Sequence, residues 1–373
     1  MKILVALDSF KGSLDSTRAC RAVQDGFLEA DPNLEVFMRP LADGGEGTAA
    51  AFLTALGGEW VVRRVRGPLK GQEVEAGFAL FPDKQAACVE MAQASGLTLV
   101  EPESRDPLVT TTFGTGELIL TARELGAETV WLGVGGSATV DGGLGAAAAF
   151  GWKFLDAAGT ELPPQGESLP SIVEVIKPPK LDPPVIKVLC DVQNPLLGKL
   201  GAARVFGPQK GADAGTVEFL ERGLGNLAAR VSASLRREIG EMTSGGAAGG
   251  LAAGAVAFLA ATLESGIERV MTETGFEALL ADMDWVISGE GSFDSQSLNG
   301  KVVDGVARAA RNAGVPMGVL AGRVALEESD WKQAGIQWAI PSAPPDMPQD
   351  EAMNRAESLL KSAAGKASVL IKG

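Results

Sequence analysis

Five stretches of the chain place a carboxylate and a small polar side chain directly behind an apolar run, four of them with glycine. They are ALDSFKGS, with Asp8, Lys11 and Ser13; LADGGEGT, with Asp43, Glu46 and Thr48; GVGGSATVDGG, with Ser137, Thr139 and Asp141; LCDVQNP, with Asp191 and Asn194; and ISGEGSFDSQSLNGK, with Glu290, Asp294 and Lys301. Carboxylates can hold a divalent cation or accept a proton, and lysines can neutralise phosphate oxygens. Glycine turns let main-chain N–H groups approach an anion. An apolar run ending in such a loop reads as a strand of an open α/β sheet, whose ligands bind beyond the carboxyl ends of the strands. One loop of this kind is as readily an ordinary turn. Five behind five strands point to an active site.

The stretch WLGVGGSATVDGG surrounds Asp141 with Gly135, Gly136 and Gly142. Glycine loses the most conformational freedom on folding, so this density suggests a close approach to the backbone, and a phosphate group is the natural candidate. The common nucleotide frames are missing, however. No G-x-x-x-x-G-K-[ST] loop is present, and the first strand runs into DSFKGS where a dinucleotide fold carries G-x-G-x-x-G. Nicotinamide redox chemistry is disfavoured on that ground. The 373 residues contain no His and no Tyr, so no imidazole can serve as base or metal ligand and carboxylates, lysines and backbone must do the chemistry.

Stepping from these loops to their supports, strand and helix alternate. KILVALD is a buried strand and SLDSTRACRAVQDGFLEAD a helix; VFMRPLAD and GTAAAFLTALGG repeat the pair. From about Gly58 to Ala92 the pattern turns to extended runs with antiparallel character (WVVRRVRG, VEAGFALF, ACVEMA), and then the alternation resumes. WVISGEG, MGVLAGRV and WAIPSA are three late strands. The expected fold is α/β: a discontinuous Rossmann-like parallel-sheet domain of residues 1–75 and 270–373, with a second α/β domain, 76–269, inserted. A simple N-then-C division is the alternative.

Lys and Arg number 33 against 47 Asp and Glu, a net charge of -14. That excess opposes nucleic acid and anionic lipid as partners and favours a small molecule. The three cysteines have neither disulfide-framework nor zinc-site spacing, which suggests a reduced, cytoplasmic setting. MKILVALDSF is too short and too soon charged for a signal peptide. The uncharged segment Gly245 to Leu263 is nearly long enough to span a bilayer, but it is mostly Ala and Gly and reads as a buried helix. A homo-oligomer is compatible with the sequence.

The chain resembles the bacterial glycerate kinases of the glycerate 2-kinase type. The resemblance runs through DSFKGSL, PLADGGEGT, EMAQASGL, FGTGELI, GGSATVDGGLG, CDVQNPLLG, VFGPQKGA, GGAAGGL and GEGSFDSQSLNGK. It implies ATP-dependent phosphorylation of D-glycerate to 2-phosphoglycerate with Mg²⁺, in a cleft between two α/β domains. Phe113 stands where the family pattern has Tyr, Asn299 where it has His, and Asn226-Leu227 where a His and an aromatic residue often occur. Ser292 replaces a frequent Arg, and Val140 a frequent Asn.

On this resemblance Asp191, Lys11, Asp8 and Asp294 are the candidate catalytic residues, with Asp191 first and Asp8 second as acceptor of the hydroxyl proton. Gly135, Gly136, Ser137, Thr139, Asp141, Gly142, Lys210, Gly289 and Lys301 are candidates for the nucleotide. Two or three of Asp191, Asp294, Glu290 and Asp43 would hold Mg²⁺. Arg63, Arg64 and Arg66 could grip a carboxylate, although RRVR on a strand is more often a solvated face.

Overall fold

The computed structural model describes residues 1–298 and 300–372; Asn299 lies outside the described residues. In chain order the strands of the two main sheets are β1 (Lys2–Leu7), β2 (Glu35–Met38), β3 (Glu59–Arg66), β4 (Glu73–Phe81), β5 (Ala86–Glu90), β6 (Thr129–Gly133), β7 (Val185–Leu189), β8 (Thr262–Glu264), β9 (Trp285–Gly289), β10 (Met317–Ala321) and β11 (Ile336–Pro341). The chain divides into two compact units. One comprises Met1–Asp43, Ala50–Leu56 and Ser265–Gly373, the other Gly44–Ala49 and Gly57–Glu264.

These edges differ from the expected 75/76 and 269/270. β3 pairs with β4 along its whole length, from Glu59 opposite Leu80 to Arg66 opposite Glu73, so it belongs to the second unit. The extended pattern beginning near Gly58 therefore marks the true edge.

In the first unit five strands run in the order β11-β10-β9-β1-β2, all parallel. This is a doubly wound arrangement in which the direction of winding reverses between β1 and β9. β1 (KILVAL) and β10 (MGVLA) are almost wholly buried, as parallel strands covered on both faces must be. The helix Ser16–Ala30 starts where the Asp15 side chain accepts the Arg18 N–H, a cap contributing about 1 kcal/mol. Its inward residues Ala19, Val23 and Phe27 join Ile3, Val5, Leu360 and Ala364 in one core. It packs against the helix Ala356–Ala367, so closely that a Cβ on Gly26 would lie 2.2 Å from the Lys361 carbonyl oxygen.

The second unit has a six-stranded sheet in the order β8-β7-β6-β5-β4-β3. β5 to β8 are parallel neighbours, while β4 and β3 add antiparallel at one edge. ACVEMA, expected among the antiparallel runs, is the hinge of the pattern: as β5 it pairs antiparallel with β4 and parallel with β6. The Gly245 to Leu263 segment is broken by left-handed residues at Ala248, Gly249 and Gly250, which leaves a short buried helix, Leu251–Leu259. Among the described residues no helix is long and apolar enough to cross a membrane.

Candidate active site

The reversal between β1 and β9 opens a crevice at the carboxyl ends of these strands in the first unit, the place where doubly wound sheets bind ligands. A cavity of about 710 Å³ lies there, and Asp8, Lys11, Asp43, Glu290, Asp294 and Lys301 all line it. Each arrives by a short, tied loop. The Asp8 N–H donates to the Gly289 carbonyl at 2.9 Å, which carries the end of β1 against the end of β9. The loop after β9 is fastened to that after β10 by a parallel bridge, Ser292 to Arg323 and Phe293 to Val324. The Asp294 N–H donates to Ser297 Oγ at 3.0 Å. Gly289 admits no side chain, since a Cβ would sit 1.8 Å from the Leu320 carbonyl oxygen; its expected place at a nucleotide is instead close packing between strands.

Two acids of this cavity, Asp8 and Glu290, are raised by burial and by neighbouring carboxylates. Asp8 is 6% exposed, and its carboxyl is pushed up to about 8, first by burial and then by the charge of Asp43, with Glu290 adding to it. The Ser9 N–H, 2.6 Å from Asp8 Oδ1, and the Lys11 ammonium pull the other way. Burial also raises Glu290, while a hydrogen bond from Ser297 and the charge of Lys301 lower it. Among the described residues Glu290 Oε1 is buried without a hydrogen-bond partner. Such a set stores repulsion that a cation would relieve. Among the described residues no three acidic side chains form a ready-made metal cage. Mg²⁺ is commonly held by one or two carboxylates and completes its shell with water and phosphate oxygens. Asp43, Glu290 and Asp294 share this cavity, whereas Asp191, the fourth candidate, belongs to the second unit.

In the second unit the glycine-rich loop after β6 is closed on itself. Asp141 is fully buried. Its carboxylate accepts from the N–H and hydroxyl of Thr112 at 2.8 and 2.7 Å, and from the N–H groups of Gly143 and Gly145 at 3.0 and 3.1 Å. The Gly142 N–H donates to the Gly249 carbonyl at 3.0 Å. Close approach does explain the glycines: Gly135 and Gly143 face backbone of Gly45 and Gly254, and Gly142 faces the Leu227 side chain. A Cβ on Gly249 would lie 2.0 Å from the Thr139 carbonyl oxygen, and one on Gly254 would lie 2.3 Å from that of Gly142. Asp141, Gly142 and Thr139, the residues expected at a nucleotide, lie within these contacts of the loop. Gly135 and Gly136 keep some exposure, while Ser137 is buried.

Lys210 shares this enclosure. Its Nζ donates to Ser137 Oγ at 2.7 Å and to the Thr139 carbonyl at 2.6 Å. Burial brings its pKa down to about 7, against the opposing charge of Asp141. Lys210, expected among the nucleotide residues, ties this loop by these hydrogen bonds. Asp191 follows β7 at its carboxyl end and is partly exposed, and Asn194 Nδ2 ties its loop to the Leu200 carbonyl at 2.8 Å. The arginines of β3 behave as a solvated face: Arg64 pairs with Glu73 across the strands at 2.7 Å, and Arg66 stacks on Phe113.

The model of the glycerate kinase family matches residues 3–372. The chain belongs to this family. A glycerate kinase of Halalkalibacterium halodurans is 44% identical over 99% of this chain and 97% of its own length. The glycerate 2-kinase of Escherichia coli is 44% identical over 90% of this chain and 89% of its own. A crystal structure assigned to glycerate kinase 2 of Salmonella typhimurium superposes with a TM-score of 0.86 at 40% identity, covering 100% of this chain and 98% of that one. The chain is accordingly an enzyme, a kinase of the glycerate kinase family.

Within this kinase the departures from the family pattern have visible places. Asn226 Nδ2 donates to the carbonyls of Leu169 and Ile172, both at 2.9 Å, and so joins the helix Ala214–Leu235 to the segment Gly166–Ser171. Val140 is fully buried and Ser292 exposed. The apolar part of the first unit's cavity, with Pro341, Ala343, Pro344, Met347, Ala352 and Met353, escapes the reading of acid-bearing loops. The segment SAPPDMPQD does follow a strand's carboxyl end, a signal that could have found it.

Proposed function

We propose that this kinase transfers the γ-phosphoryl group of ATP to the 2-hydroxyl of D-glycerate, yielding 2-phosphoglycerate and ADP with Mg²⁺. The observation that carries the reading is the crevice at the β1/β9 reversal, where lysines and carboxylates share one cavity. Membership of the glycerate kinase family and the likeness to the glycerate 2-kinase of Escherichia coli support the acceptor and the position.

Phosphoryl transfer needs alignment and charge neutralisation more than covalent chemistry. Lys11 and Lys301 are assigned to the phosphate oxygens, whose charge they offset. Asp43, Glu290 and Asp294 are the residues that would hold Mg²⁺, which when bound draws charge from the β- and γ-oxygens. Asp191 is assigned to the hydroxyl proton, and Asp8, titrating near neutrality, is the second candidate. Gly135 and Gly136 are the accessible part of their own loop, which Lys210 and Asp141 hold in shape.

The test is ADP release in a coupled assay with D-glycerate, ATP and Mg²⁺, with ³¹P spectra of the product. Phosphate on the 3-position, or no glycerate-dependent ADP, would overturn the proposal. Asp191→Asn is expected to fold and lose kcat by about 10²- to 10⁴-fold. Retained turnover would move the proton to Asp8, where Asp8→Asn repeats the measurement.

A further inference from the structure

A cavity of about 710 Å³ has the capacity of a site for a drug-sized molecule. A three-carbon acid would leave most of it filled with water. The cavity also has two chemically distinct linings. Asp8, Lys11, Asp43, Glu290, Asp294, Lys301 and Arg323 offer charge; Pro341 at the end of β11 and Ala343, Pro344, Met347, Ala352 and Met353 after it offer almost none. Since β11, β10, β9 and β1 are successive neighbours in the sheet, the loops behind β1 and β11 are three strand spacings apart, about 14 Å. The cavity is thus long as well as amphipathic.

Its apolar side is held in place. The Ala343 N–H donates to the Gly322 carbonyl at 3.3 Å, and the Ser342 N–H to that of Ala321 at 2.7 Å. Met353 reaches back to the first loop, where its Cε would lie 2.8 Å from a Cβ on Gly12.

We propose that this apolar side is the seat of the nucleobase, with the phosphates of the same molecule lying toward Lys11 and Lys301. The inference deepens the phosphotransfer reading above and rests on it for the identity of the occupant. Of the two substrates only the nucleotide combines a flat apolar ring, a long body and an anionic end. Proline rings and methionine thioethers pack well on aromatic faces. The base is then retained by packing rather than by charged groups, and the first unit is the nucleotide-binding one.

Ala343→Trp and Ala352→Trp, at partly exposed positions, fill the seat; Met347→Ala thins it. With a fluorescent N-methylanthraniloyl ATP and Mg²⁺, each Trp variant is expected to bind at least about tenfold more weakly, about 1.4 kcal/mol. KM for ATP should rise in step, while KM for D-glycerate stays within about twofold. Unchanged nucleotide affinity in both Trp variants overturns the seat. So does a rise confined to KM for D-glycerate, which would give the cavity to the acceptor and leave the phosphotransfer reading intact. A wild-type protein that binds the nucleotide and loses it in the variants, yet forms no ADP with D-glycerate, sinks the phosphotransfer reading and keeps the seat. Should the Trp variants fail to fold, Met347→Ala decides: about threefold weaker nucleotide binding supports the seat, and unaltered binding overturns it.

Discussion

Asp8 and Asp141 occupy sequence settings that look alike, each an acid behind a buried strand in a loop with glycine, and the fold treats them in opposite ways. Both are removed from water, with relative exposures of 6% and 0%, and burial raises both carboxyls. Around Asp141 the chain supplies four donors from Thr112, Gly143 and Gly145. Around Asp8 it supplies one neighbouring N–H and sets Asp43 and Glu290 nearby. The first acid is satisfied by its own unit and holds a loop's shape. The second faces two like charges, opposed by the Ser9 N–H and the Lys11 ammonium. Burial alone therefore does not separate an architectural carboxylate from a functional one; the source of its compensating hydrogen bonds does.

The contrast breaks most visibly if Asp141 can be removed without harm. Asp141→Ala leaves several buried donors without an acceptor, at about 1–3 kcal/mol each. A loss of about 4 kcal/mol is expected after partial relaxation. Urea denaturation checks it, and a loss under about 1 kcal/mol would end the view that this carboxylate organises the loop.

Asp8→Asn should act in the opposite direction. With its folded pKa raised from 3.8 to about 8, the native state holds a proton that the unfolded chain releases. Stability from this group is full below about pH 4 and is lost as pH rises through 8. Asparagine keeps an acceptor for the Ser9 N–H and carries no charge. Without metal, the variant should exceed the wild type by about 2 kcal/mol at pH 8 and by little at pH 4. Thermal melts across that window measure the difference, and a variant less stable at pH 8 would show that the repulsion is not there.

Lys210 sharpens the same comparison with a smaller effect and the reverse sign. Its pKa is lowered by burial from 10.5 to about 7, so the unfolded chain binds the extra proton. Stability from this group is present above about pH 10.5 and is lost as pH falls through 7. Lys210→Met should therefore remove a rise of about 1–2 kcal/mol between pH 7 and pH 10. An unchanged slope in the variant would show that another group titrates there.

Much of this was legible in the sequence, for definable reasons. Parallel strands buried on both faces leave nearly unbroken apolar runs such as KILVAL and MGVLA, and polar loops at their carboxyl ends mark the crevice directly. Asp8, Lys11, Asp43, Glu290, Asp294 and Lys301 share one cavity for that reason. The glycines near Asp141 were harder to read. A glycine facing a phosphate and one facing another main chain look the same until the partner is known, and here the partners Gly249 and Gly254 lie more than 100 residues away. The seat after β11 was missed because proline and methionine carry no sign of chemistry, only of shape.

The smallest expected effect concerns Phe113, where the family pattern has Tyr. The Arg66 guanidinium lies over its ring, 3.8 Å from the centroid, and also approaches Glu117 at 3.7 Å. Cation–π attraction at an exposed site contributes about 0.5–1 kcal/mol and does not depend on a phenolic hydroxyl. The ring is only partly buried, so a hydroxyl added at its tip can find water. Phe113→Tyr should thus alter stability by less than about 0.5 kcal/mol, whereas Arg66→Ala should cost about 1 kcal/mol with the weak ion pair included. Paired urea titrations separate the two. A loss above about 1.5 kcal/mol for Phe113→Tyr would mean that the ring's tip is enclosed against apolar groups, and that its environment has adapted to the missing hydroxyl.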